Sequence, residues 1–356
     1  MKKEAILSYF PKITHNRCQA LSNKFDSWQE IKTANFSQLK SIGWDKETIE
    51  TFLSWTKNVD LEAIKQDLQR EDIKCYTKED KEYPHLLKEI HDPPHCLFTK
   101  GNLVPEEFAI GVVGTRKYSK YGKQVTYKLV KKLARAGITI VSGLAYGIDS
   151  FAHNATLKAG GRTIAVLGGG VDNDHIYPAE NRNLAKNIIN SNGAVISEYC
   201  PGTQPTKYTF PQRNRIISGL SQGVLVVEAG QDSGALITAD AALDQNREVM
   251  AVPHRITSNN GKGVNQLIKE GATPITSAED VFNEFRYEFN SKEKEIEADS
   301  KEEEALLQYL SEQPTHVDKL VEKTDMSSSK VTSTLSMMEM RGVVENLGNM
   351  EYVLSK

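Results

Sequence analysis

Residues 109–142 read AIGVVGTRKYSKYGKQVTYKLVKKLARAGITIVS, and this stretch decides the fold class. It contains two short, almost wholly apolar runs, Ala109–Val113 and Ile138–Val141. Between them, at roughly 121–136, apolar and charged residues recur at helical spacing. An apolar run, an amphipathic helix and a second apolar run are the pattern of a βαβ unit. The stretch therefore predicts two parallel strands joined by a covering helix.

The same alternation continues along the chain to about residue 252. Apolar runs predict further strands at Thr163–Leu167, Ala194–Ser197, Val224–Val227 and Glu248–Val252. Helix-length amphipathic stretches fall at roughly 147–159, 180–191, 212–220 and 234–246. Strands that are apolar throughout are typical of a parallel sheet covered on both faces by helices. We therefore expect an α/β fold that binds its ligand beyond the carboxyl ends of the strands.

Three other segments differ in character from this α/β region, 81–285. Residues 1–80 predict a small helical domain with balanced charge, in which Leu39–Gly43 weakly resembles a helix-hairpin-helix (or SAM-like) element. A packing or protein-contact role is favoured there over DNA binding. Residues 286–304 are rich in acids and predict a solvated linker. Residues 305–356 predict three helices and a hairpin, the plan of a winged helix.

Composition excludes several classes of protein. The chain has 356 residues, of which 39% are hydrophobic, which is too many for a disordered protein. The 44 basic and 47 acidic residues give a net charge of −3, which argues against a uniformly basic DNA-coating protein. It does not exclude a local basic face, because net charge averages over domains.

Location and metal binding are also constrained by the sequence. There is no run of about 18 apolar residues and no signal-like N-terminus. The four cysteines, at positions 18, 75, 96 and 200, have no CxxC spacing. We therefore expect free thiols, a cytoplasmic location and no metal site.

Charge is strongly segregated between Phe108 and Ile148. This stretch has no acidic residue but has eight cations: Arg116, Lys117, Lys120, Lys123, Lys128, Lys131, Lys132 and Arg135. A solvated helix face, which is the alternative interpretation, usually mixes both signs. Segregation on this scale favours an anion-binding face.

Glycines follow three consecutive predicted strands, at Gly114, Gly143 and Gly168-Gly169-Gly170. Glycine lets a backbone approach a ligand closely and point its N–H groups at it. Beside the basic stretch, these turns predict a phosphate-lined groove. There is no GxxxxGK[ST] loop and no GxGxxG fingerprint, so we expect neither ATP, NAD nor any other cofactor.

A second candidate segment, KYTFPQRNR at 207–215, combines cations with aromatic rings. Rings can stack on splayed bases while cations hold the backbone of a single strand. The alternative is structural: the arginines could tie the loop to carboxylates such as Glu198 or Glu228. We expect both, with Lys207 and Phe210 functional and Arg215 structural.

Two catalytic interpretations are weaker. Asp149 and His153 are four residues apart on one predicted helix and could form an acid/base pair, although a structural role is more common. Glu228 could serve a nucleotide (phosphoribo)hydrolase working in the same groove. The segment at 228–234, EAGQDSG, lacks the PGGxGTxxE loop of such enzymes.

Several motifs resemble those of the DNA-processing protein DprA (Smf) family. They include SGLAYGID at 142–149, FPQRNRIISG at 210–219 and SGALITA at 233–239, within a resemblance that spans about 80–276. The resemblance implies an extended Rossmann-like core that binds single-stranded DNA. It also implies a non-catalytic homodimer that protects incoming strands during natural transformation and loads RecA onto them.

The resemblance places the strand-binding pocket at Gly114, Thr115, Arg116, Lys207 and Phe210. With the residues singled out from the sequence, the full candidate site is Gly114, Thr115, Arg116, Lys117, Gly143, Gly168, Gly169, Lys207, Phe210, Arg213 and Asn214. The expected partners are single-stranded DNA, RecA and a second copy of the chain, with single-strand-binding protein as a further candidate.

Two features depart from the family pattern. His254 stands where the family usually has glycine after Ala-Val-Pro, and residues 305–356 carry more acids than bases. A net-negative winged helix should bind duplex phosphates poorly, so a protein-contact role is favoured.

Candidate dimer contacts are Leu267, Ile268 and Pro274-Ile275. A purely structural adaptor built on the two end domains is the remaining hypothesis.

Overall fold

A nine-stranded sheet organises residues 1–287 of the computed structural model, which describes residues 1–287, 298–310, 314–341, 343–348 and 350–354. Its strands are β1 (Lys74–Tyr76), β2 (Leu97–Gly101), β3 (Ala109–Val113), β4 (Thr139–Ser142), β5 (Thr163–Val166), β6 (Ala194–Ser197), β7 (Gly223–Val226), β8 (Glu248–Ala251) and β9 (Thr273–Pro274). Their order across the sheet is β1-β2-β6-β5-β4-β3-β7-β8-β9. Strands β3 to β9 are parallel, and β1 and β2 are antiparallel additions at one edge.

Helices precede the sheet and cover both of its faces. The N-terminal helices are α1 (Lys3–Leu7), α2 (His15–Lys24), α3 (Trp28–Thr33), α4 (Phe36–Lys40), α5 (Lys46–Asn58) and α6 (Leu61–Arg70). The helices around the sheet are α7 (His85–Lys88), α8 (Lys120–Arg135), α9 (Ile148–Lys158), α10 (Arg182–Asn190), α11 (Thr209–Gly219), α12 (Gly234–Asp244), α13 (Lys262–Lys269) and α14 (Ala278–Glu284).

Alternation of side chains along the strands separates two large cores. On β3, Ile110 and Val112 pack in a cluster with Leu129 of α8, whereas Val113 packs on the other face with Ile216 of α11. Successive strand residues point to opposite faces, so an all-apolar strand is buried on both. The predicted α/β class with a parallel sheet is confirmed.

The connections of the chain place a crevice beside β3. From β3 the chain crosses through α8 to β4 on one side, and it later returns through β7 on the other side of β3. The strand order therefore reverses between β3 and β7. Ligands of open parallel sheets bind outside the carboxyl ends of the strands at such a reversal.

Two antiparallel strands and a disulfide differ from expectation. Residues 74–76 and 97–101 pair as β1 and β2, although no strand was predicted there. Cys75 and Cys96 form a disulfide between these strands, so the prediction of four free thiols was wrong for this pair. The antiparallel pairing brings together two cysteines that are 21 residues apart, which their spacing alone does not reveal. Cys18 and Cys200 are free.

The described residues from 298 to 354 form a second compact unit, described by itself. It contains α15 (Lys301–Leu307), β10 (Thr315–His316), α16 (Val317–Thr324), α17 (Ser328–Met340), β11 (Val344–Gly348) and β12 (Glu351–Leu354). The three strands form one sheet in the order β10-β12-β11. Helices and hairpin follow the predicted winged-helix plan.

The boundary with the acidic linker differs in detail. Residues 301–304, predicted as linker, begin α15, where the acids of the first turn suit the positive end of the helix dipole. Linker residues 288–297 lie outside the described part of the chain. Residues 1–287 belong to one compact unit, so the domain boundary at residue 80 stays a prediction. No helix among the described residues is long and apolar enough to cross a membrane.

Candidate nucleic-acid interface

The glycines at the carboxyl ends of the strands are close-packed against side chains. A Cβ added to Gly143 would lie 2.6 Å from the Arg213 guanidinium, and one added to Gly168 would lie 3.0 Å from the Phe210 ring. A Cβ on Gly114 would lie 2.6 Å from Ile148. These positions require glycine because α9 and α11 press against the strand ends. This close packing brings the Phe210 ring to the carboxyl edge of the sheet, where a ligand could reach it.

Arg116 and two aromatic rings form a stack at this edge. The Arg116 Cζ lies 5.1 Å from the centroid of the Phe210 ring. The Tyr177 ring lies 5.7 Å from Phe210, tilted by 46°. Arg116 is exposed and Tyr177 is 46% exposed. A cation held over a ring next to a second exposed ring can contact both a phosphate and a base.

Two further tyrosines and one lysine lie in loops that follow strands of the sheet, Tyr146 after β4 and Lys207 and Tyr208 after β6. Lys207 is exposed, and its Nζ lies 5.0 Å from the ring centroid of Tyr208, which is 69% exposed. The Tyr146 hydroxyl donates a hydrogen bond to Glu180, and this bond raises the pKa of Tyr146 to about 12. Tyr146 and Tyr177 were not among the predicted site residues. Aromatic residues in loops after predicted strands were the available signal for both.

Several predicted donors are already occupied. The Thr115 N–H donates to the Glu228 carbonyl at 2.8 Å, so it is not free for a phosphate. Gly169 is buried beneath the Thr203 carbonyl and Pro205. Asn214 donates through Nδ2 to the Gly234 carbonyl at 3.2 Å and so joins α11 to α12. Lys117 is exposed, and its carbonyl is held by Asn260 Nδ2 at 2.7 Å.

Arg213, in contrast to its predicted surface role, lies inside the protein. It is 3% exposed, and its guanidinium donates to the Gly143 carbonyl at 2.8 Å and to the Val166 carbonyl. Burial lowers the pKa of Arg213 to about 10, opposed by the charge of Asp149. Burial likewise raises the pKa of Asp149, which accepts a hydrogen bond from the Gly143 N–H. Arg213 therefore holds the ends of β4 and β5 together.

Arg215 has the structural role expected of it. Its Nε contacts Asp92 Oδ2 at 2.7 Å, and Nη2 contacts Glu198 Oε2, also at 2.7 Å. Glu198 is largely buried, and its pKa is raised by that burial in spite of Arg215. The two ion pairs of Arg215 fix α11, which carries Phe210 at its start.

Glu228 is enclosed and has only structural contacts. It is 0% exposed and accepts hydrogen bonds from Ser119 N at 2.9 Å and from Ser119 Oγ at 2.5 Å. His254 Nε2 is 3.0 Å from the same carboxylate and acts as the donor, because a carboxylate only accepts. His254 thus covers Glu228 and ties the β8 loop to the start of α8. Nothing in this arrangement supports a hydrolytic role for Glu228.

Asp149 and His153 bond to separate partners. His153 Nδ1 lies 2.7 Å from Thr163 Oγ1, whose single hydrogen is donated to the Ile140 carbonyl. The ring must therefore donate from Nδ1 as a neutral imidazole. Burial lowers the pKa of His153 to about 3. These contacts favour the structural interpretation of the helix over an acid/base pair.

This histidine predicts a stability that falls in acid. The pKa of His153 is about 3 in the folded chain against about 6.5 unfolded, so the unfolded state binds the proton first as pH falls. Its contribution is present above about pH 6.5 and is lost towards pH 3, by up to ~1.4 kcal/mol per pH unit. Denaturant unfolding at several pH values should show that the free energy of unfolding falls less steeply with decreasing pH in His153→Gln than in the wild type. An equal slope in the two proteins would contradict this assignment.

The fold and this edge define a class: a Rossmann-like α/β protein whose strand ends carry exposed cations and rings, followed by a winged helix. Residues 74–286 match the family model described as DNA recombination-mediator protein A, and residues 290–350 match the DprA winged helix domain. The chain belongs to the DNA recombination-mediator protein A family, also known as DprA or Smf.

Curated relatives and solved structures agree with this. DNA processing protein DprA of Bacillus subtilis is 51% identical over 57% of this chain and 68% of its own length. Protein Smf of Escherichia coli is 35% identical over 85% and 79%. The crystal structure of DprA from Streptococcus pneumoniae has a TM-score of 0.67 and 35% identity, covering 80% of this chain and 99% of that one.

A second similar solved structure is of a relative that binds single-stranded DNA. It is described as giving the single-stranded DNA binding mode of DNA processing protein A from Helicobacter pylori. The match has a TM-score of 0.54 and 30% identity, and covers 61% of this chain and 97% of that one.

Proposed function

We propose that this chain binds single-stranded DNA, without catalytic turnover, at the carboxyl edge of its parallel sheet. The observation that carries the proposal is the stack of Arg116, Phe210 and Tyr177 with Lys207 in a neighbouring loop. The single-stranded DNA binding described for the Helicobacter pylori relative supports it.

Exposed rings favour a single strand over a duplex. In a duplex the faces of the bases are covered by their neighbours, whereas a single strand can turn its bases onto aromatic side chains. Every base has such a face, so recognition is tolerant of sequence. Cations at Arg116 and Lys207 would hold the phosphates, with Arg116 using its planar fork.

The winged-helix unit fits a protein-contact role better than duplex binding. Lys330 of α17 pairs with Glu302 at 2.7 Å, and Arg341 pairs with Asp299 and Glu303. Both cations are thus neutralised by acids of their own unit. Affinity for duplex DNA depends mainly on cations that are free to displace counterions from phosphates.

The proposal includes delivery of the bound strand to RecA during natural transformation, in a homodimer, with single-strand-binding protein as a further partner. These steps rest on the family. Of the candidate dimer contacts, Leu267 and Ile275 are buried in the core of this chain. Ile268 is half-buried and Pro274 is exposed, and these two remain the candidates.

One binding experiment tests the proposal. Fluorescence anisotropy of the full chain with labelled oligo-dT and with a duplex of equal length should show tighter binding of the single strand and a steep loss with salt. Addition of RecA to the complex should then speed filament formation on the strand. Equal affinity for both DNAs, or no dependence on salt, would sink the proposal.

A further inference from the structure

A basic surface runs along α8 and leads away from the stack of Arg116, Phe210 and Tyr177. Its residues Lys120, Lys123, Tyr127 and Lys131 are three or four apart in sequence, and Lys128 and Arg135 are spaced by three and four from Lys131. Such spacings place side chains on one face of a helix. The 16 residues of α8 extend this face over about 24 Å. With Lys158 of α9 we call this surface the α8–α9 ridge.

Aromatic rings lie along the ridge and contact its lysines. The Tyr118 ring is 4.5 Å from Phe151 of α9, and Phe151 is 6.0 Å from Tyr127 of α8, measured between centroids. Lys123 Nζ lies 5.2 Å from the Phe151 ring, and Lys158 Nζ lies 5.4 Å from the Tyr127 ring. Three rings and two lysines thus form one connected cluster across the two helices.

The ridge carries charge of one sign. Residues 109–147 contain no acid, and the one acid of α9, Asp149, is 6% exposed. Lys132, which follows Lys131 on α8, pairs with Glu279 of α14 and is not counted in the ridge. Within residues 1–287, no ion pair joins Lys120, Lys123, Lys128, Lys131 or Arg135 to an acid. Their charges are therefore available to an external anion.

The ridge is continuous with the stack at the strand ends. Tyr118 is two residues after Arg116, is 47% exposed, and touches Phe151 at the start of the ridge. Helix α8 begins at Lys120, immediately beyond this loop. A polymer held by Arg116 would therefore reach Tyr118 and then the lysines of α8 without crossing an acidic surface.

We propose that the α8–α9 ridge is a second contact surface for the same single strand, which leaves the stack at Tyr118 and runs along α8. This inference rests on the proposed function, because it extends the path of the ligand proposed there. Tyr118 stacks on a base at the turn between the two surfaces. The lysines of α8 neutralise successive phosphates.

A single strand fits the ridge better than an acidic protein does. Lysines held over ring faces, together with the half-exposed Tyr118, are the elements by which single strands are gripped without reading sequence. An acidic protein would be matched by cations alone. The connection to the stack also requires a ligand that is long and repeats its charge.

Strand length separates the two surfaces in an experiment on the full chain. An oligo-dT of about 5 nucleotides should occupy the stack alone, and one of about 20 should reach the ridge as well, by analogy with footprints of ~4–16 nucleotides for an OB fold. The triple variant Lys120→Gln/Lys123→Gln/Lys128→Gln should bind the longer strand about tenfold more weakly. Its salt slope should fall by about 2, from ~0.7 per phosphate contact.

The short strand should bind the triple variant as it binds the wild type. Tyr118→Leu should weaken the long strand about fivefold or more, from ~1 kcal/mol or more for a lost stack. The matched control, Lys57→Gln/Lys74→Gln/Lys88→Gln, removes three exposed lysines elsewhere and should change neither strand.

The outcomes distinguish this inference from the proposed function. If the triple variant binds the long strand normally, or weakens both lengths equally, the ridge is not a separate strand contact, and an acidic protein becomes its better partner. Arg116→Ala should weaken both lengths. If Arg116→Ala leaves both unchanged, the proposed function itself fails, whatever the ridge does.

Discussion

Replacing Arg116 with alanine is expected to weaken single-stranded DNA binding by at least about tenfold. Arg116 is exposed at the edge of the sheet and lies over the Phe210 ring. A hydrogen bond to a charged group contributes ~1.5–3 kcal/mol, and the variant loses the bond that Arg116 would make to a phosphate. Removal of one phosphate contact should also lower the salt slope by about 0.7. Salt-titrated anisotropy with oligo-dT measures both quantities.

Lys207→Ala should have a smaller effect of the same kind, because an ammonium makes a point contact where a guanidinium makes a fork. Lys74→Ala removes an exposed lysine from the antiparallel edge strand and serves as the control. Folding should be intact in all three, since none of these side chains is buried. Unchanged affinity and salt slope in both Arg116→Ala and Lys207→Ala would show that the strand binds elsewhere.

The fold could be predicted because burial on both faces leaves a clear record in the sequence. Strands β3 and β6 occupy the predicted residues, β5 and β8 end one residue earlier than predicted, and β4 and β7 are shifted by one residue at both ends. Strands β1 and β2 could not be predicted in this way. Lys100 lies within β2 and is buried only because its ammonium contacts Glu71 and Asn173, which are distant in sequence.

The candidate site could be placed from the sequence at one edge of the sheet, but the packing of its side chains could not. Strand-end loops and a segregated basic stretch lead to the edge of the sheet where Arg116 and Phe210 lie together, because topology fixes where strand ends meet. Whether an arginine of α11 faces outwards depends on how α11 packs against the strand ends. Arg213 and Arg215 both turn inwards, to Gly143 and to Glu198, whereas Arg116 stays exposed. Tertiary contacts of this kind have no local signal.

Replacing Arg213 with methionine is therefore expected to destabilise the folded protein rather than to weaken DNA binding selectively. The guanidinium is 3% exposed and donates to the carbonyls of Gly143 and Val166. Its loss leaves buried acceptors without this donor, at ~1–3 kcal/mol each, and leaves the buried Asp149 without its neighbouring positive charge. We expect the free energy of unfolding to fall by about 3 kcal/mol or more, measured by denaturant titration followed by circular dichroism.

Arg213→Lys should recover part of this loss, because an ammonium restores the charge near Asp149 but cannot reproduce the planar fork. Arg116→Ala is the matched comparison, since it removes an exposed arginine from the same edge and should leave stability unchanged. The two arginines should thus separate stability from affinity. If Arg213→Met kept wild-type stability and lost salt-dependent affinity for oligo-dT, then Arg213 would contact the strand directly, and its inward packing would have no bearing on folding.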